Sequence, residues 1–197
     1  MGVCAILLGT SAEELEIELG KIFPDDVFIR NERAVKEDMF KILRFLSSPN
    51  AGLDIALDIR GTSFQHKVWE ALRTIPAGRP LTFAQLACRI PGSKSLRAIG
   101  QACADNPIAL AIPCHRVMGN SGSLLNYRYG AQCKRSLIIR EVAAAQSPTQ
   151  SPVTYAPPRD PRGGVLFVSN SKANIGSIRT WSRIMRYRAF RTDEVLR

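Results

Sequence analysis

Only two histidines occur in the chain, and one of them, His115, directly follows Cys114, whose other neighbour is Pro113. A thiol with an ordinary pKa of about 8.5 is mostly protonated at neutral pH, so a nucleophilic cysteine needs a base or an electropositive setting to supply thiolate. His115 can be that base. Neighbouring residues on a strand point to opposite faces, so the two side chains can cooperate only across a turn or through a bridging water. A buried thiol beside a core imidazole accounts for the same dipeptide without any chemistry. The remaining cysteines, Cys4, Cys88, Cys103 and Cys133, are scattered, with no CxxC and no histidine at ligand spacing, so neither a metal site nor a disulfide framework is expected.

Several elements must position that pair. Ser11-x-x-Glu14 has the form of a capping box, and Leu15, Leu19, Ile22 and Phe23 form one stripe, predicting a helix from Thr10 or Ser11 to Phe23, stopped by Pro24. Val35, Met39, Ile42, Leu43 and Leu46 predict a second helix over residues 32–46. Residues 53–59 alternate apolar and polar, the pattern of a half-buried strand. From Thr62 the period is helical, with Phe64, Val68, Leu72 and Ile75 on one face, and Pro76-Ala77-Gly78 ends it. Thr82-x-x-Gln85 caps a short helix to Ile90; after Pro91-Gly92-Ser93 a second runs over residues 94–104. Two helices around a Gly-containing turn match a helix-turn-helix, although many such hairpins bind nothing. A short apolar strand is predicted over residues 108–112 and a last helix, carrying Leu137, Ile138 and Val142, to near Ala145.

Residues 146–164 hold five of the twelve prolines together with Ser, Thr and Gln, a composition that cannot bury enough surface to fold alone. Beyond them, residues 165–168 form a possible isolated strand with no evident partner. Ile178, Trp181 and Met185 could line one face of a basic helix with Arg179, Arg183 and Arg186. The whole of 146–197 is read as a disordered basic tail. It contributes more than half of a net charge of +10: 9 basic against 3 acidic residues lie from Ala144 onward, and 18 against 14 before it. Such a balance favours a polyanionic partner. No segment approaches the roughly 18 continuous apolar residues of a membrane span, and residues 1–8 lack a basic leader region, so the chain is read as cytoplasmic with no membrane partner.

Ile112-Pro113-Cys114-His115-Arg116-Val117, preceded by Asn106-Pro107 and followed by Asn126-Tyr127-Arg128-Tyr129-Gly130, resembles the O6-alkylguanine-DNA alkyltransferase family. The resemblance runs from about Val3 to Glu141, takes in residues 60–65 and 68–78, and is most like the C-terminal half of the bacterial adaptive-response (Ada) proteins. It implies an α+β protein in three parts. These are an N-terminal α/β, ribonuclease H-like domain over 1–60, expected to be truncated by at least one strand; a helical, winged helix-turn-helix-like domain over 61–145; and the tail.

The implied activity is single-turnover DNA repair, as a methylated-DNA–protein-cysteine S-methyltransferase without cofactor or metal. The target base is flipped out of the duplex, because a stacked base cannot reach an enclosed thiolate. Its alkyl group, from O6-alkylguanine and from O4-alkylthymine, then passes irreversibly to the protein, which acts as a monomer.

By resemblance Cys114 is the alkyl acceptor, His115 a base working through water, Glu141 the carboxylate orienting the imidazole, and Asn106 a tie between recognition helix and active-site segment. Arg97 is the finger that replaces the flipped base, with Lys94, Ser95, Ala98 and Gln101 on the same DNA-facing helix, and Phe83, Val117, Tyr127 and Arg128 line the pocket. Taken alone, Glu141 and Arg97 would read as solvated charges. The family approaches DNA through the minor groove, where small residues allow close contact and sequence readout is poor.

Three departures stand out. Phe83 replaces the usual tyrosine whose hydroxyl hydrogen-bonds the leaving guanine, the first strand is missing, which would leave an open sheet edge, and Leu125-Asn126 replaces a glycine before Tyr127. Two alternatives follow: a lesion-binding relative without transferase activity, and a Cys-His hydrolase, for which no substrate cleft is apparent.

Overall fold

The computed structural model describes residues 2–9, 11–30, 35–92, 95–124, 127–146, 164–169 and 186–191. Strand β1 (Val3–Gly9) is apolar throughout because both its faces are covered. Cys4, Ala5 and Leu7 pack against Ala12, Leu15 and Leu19 of helix α1 (Ala12–Ile22), while Val3, Ile6 and Leu8 enter the larger core. Ser11 caps α1 by accepting from the Glu14 N–H at 3.2 Å. Strand β2 (Asp26–Arg30) follows, an element the sequence reading does not contain. Helix α2 (Lys36–Ser47) buries Met39, Ile42, Phe45 and Leu46; its expected start at Glu32 lies outside the described residues.

The alternation over 53–59 reads burial correctly but not secondary structure. Ile55 is buried and Asp54 and Ala56 are exposed, yet the segment forms only a single bridge, Leu57 to Val3. One neighbour is present, through Val3 N–H to Ala56 O at 2.8 Å and Asp58 N–H to Val3 O at 3.0 Å, and no ladder develops.

Thr62 and Gln65 form a reciprocal capping box that starts helix α3 (Ser63–Arg73), which buries Val68, Trp69 and Leu72. Each such side chain contributes about 1.5–3 kcal/mol by leaving water. Strand β3 (Leu81–Thr82) leads into helix α4 (Phe83–Ala87), opened by a second capping box between Thr82 and Gln85. This helix ends before the expected Ile90. Helix α5 (Leu96–Ala104) follows, capped by the Ser95 hydroxyl, and Trp69 Nε1 donates to Ala102 O at 2.8 Å to lock α3 onto it. Strand β4 (Val117–Met118) pairs in parallel with β3, and helix α6 (Ala131–Gln146) closes this part.

Three expectations are corrected. Residues 108–112 are not a strand: after one bridge from Ile108 to Ile6 the chain turns, with Ile112 N–H donating to Ile108 O at 3.0 Å. The expected tail contains strands β5 (Gly164–Ser169) and β6 (Arg186–Arg191) in a four-stranded sheet of order β1-β5-β6-β2. Residues 165–168 therefore have a partner: β5 runs parallel to β1, and β6 is antiparallel to both β5 and β2. Arg186 lies in β6 rather than on a helix, while Ile178, Arg179, Trp181, Arg183 and Met185 lie outside the described residues. The edge of β1 opposite β5 is taken by the Leu57 and Ile108 bridges, so β1 is not an open edge.

Candidate active site

Asn106 begins the site. It follows α5, is 2% exposed, and its side chain does the work of a missing ladder. Oδ1 accepts from the Ile108 N–H at 3.0 Å and Nδ2 donates to Ile112 O at 2.8 Å, so the buried turn between them keeps its polar backbone satisfied. Leu110, at the turn's apex, has φ +69°, a left-handed conformation that a leucine adopts only where its surroundings impose it. The same Nδ2 reaches Cys114 Sγ at 3.3 Å.

Cys114–Arg116 forms a single 3₁₀ turn. The pair therefore sits on a turn and not on a strand. His115 is fully buried, with Nε2 2.9 Å from Glu141 Oε1 on α6. Arg116 is also buried and clasps the same carboxylate, from Nε to both oxygens at 3.1 and 2.9 Å and from Nη2 at 2.8 Å, while Nη1 donates to Ile75 O. Gly78 N–H adds a bond to Glu141 Oε2 at 3.3 Å. Only glycine fits there: φ is +71°, and an added Cβ would stand 2.8 Å from Glu141 O and 2.9 Å from Ala145 Cβ.

Burial alone would raise the Glu141 pKa, but the hydrogen bonds from His115 and Arg116 and their charges hold it down to about 2. Glu141 is therefore an ionised acceptor, so Nε2 of His115 must carry the hydrogen and Nδ1 the lone pair. Burial lowers the His115 pKa, against the pull of Glu141, and keeps the imidazole neutral. Nδ1 makes no hydrogen bond to the described residues. Burial pushes the Cys114 thiol upward, opposed by the Asn106 bond and by the Lys134 ammonium. At rest the sulfur is thus a thiol, and the residue after it carries a neutral imidazole.

Lys134 and Arg116 are the members that sequence reading leaves without a role. Lys134, on α6, is 2% exposed; Nζ donates to Val117 O at 2.6 Å and lies 5.8 Å from the Tyr127 ring centre. Burial lowers its pKa. A lysine or arginine in sequence reads as surface by default, so the available signal is only their nearness to Cys114 in the motif and on the helix carrying Glu141.

Among the expected pocket residues, Val117 is buried, and Tyr127 is half-buried with its hydroxyl enclosed and edge-on to Tyr129 at 5.4 Å. Phe83 opens α4 and packs, partly buried, against the core cluster that includes Val117. Arg128 differs from expectation: its guanidinium is spent on Ala104 O and Glu18. Of the expected DNA contacts, Ser95 and Arg97 are exposed at the start of α5 and Ala98 is half-exposed. Gln101 is exposed and donates to Asp105 Oδ1 at 2.8 Å. Lys94 lies outside the described residues.

Residues 63–143 match the family model described as the DNA-binding domain of 6-O-methylguanine DNA methyltransferase. The bifunctional transcriptional activator/DNA repair enzyme Ada of Escherichia coli (strain K12) is 41% identical over 140 residues, 71% of this chain, which spans only 40% of that relative's length. A methylated-DNA–protein-cysteine methyltransferase of Methanosarcina acetivorans is 36% identical over 121 residues, 61% of this chain and 78% of the relative. In structure, a variant of the Mycobacterium tuberculosis O6-methylguanine methyltransferase superposes with a TM-score of 0.53 at 36% identity, covering 58% of this chain and 68% of that one. The matched span includes Cys114, His115, Asn106 and Glu141, and the chain belongs to the methylated-DNA–protein-cysteine methyltransferase family.

Proposed function

We propose that this chain repairs duplex DNA by moving the alkyl group of a flipped-out O6-alkylguanine, and of O4-alkylthymine, onto Cys114 Sγ, once per molecule and without cofactor or metal. The observation that carries this reading is the buried His115–Glu141 pair, which leaves the Nδ1 lone pair as a base on the residue that follows the resting thiol. His115 takes the thiol proton through a water, the sulfur attacks the alkyl carbon as its bond to O6 breaks, and the departing guanine takes up the proton. Thiol plus alkylguanine thus becomes thioether plus guanine, with no other reactant. Asn106 steadies the sulfur through its Nδ2–H. Lys134 adds positive potential that favours thiolate.

On this reading α4, the following turn and α5 are the DNA-binding helix-turn-helix of a winged domain, and the N-terminal α/β part is ribonuclease H-like. Arg97 occupies the gap left by the extruded base. Support comes from Gly100, on the half-exposed side of α5: a Cβ there would meet nothing within 4 Å. A helical glycine costs about 1 kcal/mol, and internal packing does not require it. Close approach of a minor groove does.

Intact-mass measurement after mixing with an O6-methylguanine duplex tests the proposal. The expected result is a gain of one methyl group, abolished in Cys114→Ser. Lesion-selective binding with no mass gain would replace it with a non-transferring damage binder, the reading that Phe83 favours.

A further inference from the structure

We propose that Arg128 is a positioning residue, which fixes the end of the recognition helix and the Tyr127 wall of the pocket to one another by way of Glu18 on α1. The inference rests on the transfer function proposed above and assigns Arg128 a role other than touching the base.

All three nitrogens of the guanidinium are committed. Nε and Nη2 donate to Ala104 O at 2.9 and 2.6 Å, and Nη1 donates to Glu18 Oε1 at 2.6 Å. Ala104 is the last residue of α5, so its carbonyl is one of those a helix leaves without an internal partner. A cation there also complements the negative end of the helix dipole. Glu18 supplies the counter-charge from a different element, and the pair is mostly withdrawn from solvent, with side chains 22% and 33% exposed.

Arg128 directly follows Tyr127, so whatever holds its guanidinium limits where the tyrosine ring can go. The next residue reinforces the attachment: Tyr129 OH reaches Ile6 O at 3.5 Å. Ile6 is the residue of β1 that pairs with the segment after Asn106, accepting from Ala109 N–H at 3.0 Å and donating to Pro107 O at 2.9 Å. Consequently the pocket loop, the exit of α5 and the Asn106 turn that contacts the sulfur are all referenced to β1 and α1.

The test is single-turnover transfer from an O6-methylguanine duplex at saturating DNA, with melting temperature and affinity for an unmodified duplex measured on the same variants. Arg128→Ala should slow transfer about tenfold, the scale of one charge-assisted hydrogen bond with part of its strength lost to solvent. Glu18→Ala, remote from the pocket, should slow it about threefold, and the double variant should be no slower than Arg128→Ala alone. Arg128→Lys, able to reach only one of the two partners, should recover part of the rate. Affinity for unmodified DNA should stay within about twofold throughout.

An unaffected Glu18→Ala beside a slow Arg128→Ala would overturn the proposal, because Arg128 would then act at the base itself. So would lower melting temperatures with unchanged transfer by the folded protein, since the bridge would then serve stability alone. A wild-type protein that transfers nothing would overturn the transfer function, and this inference with it.

Discussion

Replacing Glu141 by glutamine exchanges one oxygen for an NH2 group and tests the whole site. The carboxylate is 3% exposed and accepts from His115 at 2.9 Å and from Arg116 at 2.8 to 3.1 Å. Its pKa stands at about 2 against an ordinary 4.5, which corresponds to ~3 kcal/mol of preference for the ionised form. Removing the charge leaves the Arg116 guanidinium buried without a counter-ion, a loss of about 3–5 kcal/mol when one partner of a buried pair is deleted. The two figures agree in scale and translate into a melting temperature lower by about 10 °C. Function should suffer separately. The amide can present its NH2 to Nε2, moving the histidine proton to Nδ1 and abolishing the base, and a mis-set tautomer in a comparable relay costs up to about 10⁴-fold. We therefore expect Glu141→Gln to transfer methyl at least about 10²-fold more slowly at a temperature where circular dichroism finds it folded. A folded variant reacting at the wild-type rate would refute the orienting role of the carboxylate.

Phe83→Tyr should accelerate single-turnover transfer, by up to about 10²-fold if its hydroxyl reaches the departing base; an unchanged rate would mean that the leaving group needs no donor there. Because burial lowers the His115 pKa, the imidazole remains neutral as pH falls through its ordinary 6.5. The pH profile of transfer should accordingly stay level through 6.5 and fall only in more acid solution, and a midpoint at or above 6.5 would contradict the buried environment. Gly78→Ala places a methyl against the α6 backbone at a positive φ and should destabilise by about 1–3 kcal/mol in urea denaturation; unchanged stability would refute the requirement for glycine.

Local signals carried the helices well. The Ser11 cap, the Thr82–Gln85 box and the apolar faces of α1 and α3 all rest on contacts within a few residues, and the structure places them there. The cysteine–histidine pair stood out because histidine is so scarce in this chain. Glu141, by contrast, lies on α6, whose sequence has little amphipathic pattern, and only the family resemblance singled it out. The apolar run 108–112 was misread because a side chain, that of Asn106, replaces the hydrogen bonds a strand would have made. Arg116 and Lys134 were overlooked because their burial depends on partners 25 and 17 positions away, Glu141 and Val117. The β1–β5 pairing spans most of the chain and leaves no local trace.

The crowding around Glu141 also bears on the fate of the transferred hydrogen ion. Arg116 already offsets the single negative charge of that carboxylate, so an imidazolium formed at His115 in this buried site is balanced only by the thiolate it leaves behind. Protonation there is a transient state of high energy, and an anionic purine leaving close by is the natural sink. In the proposed transfer, ionic balance within the turn therefore favours release of a neutral base, even though Phe83 offers no hydroxyl to assist it.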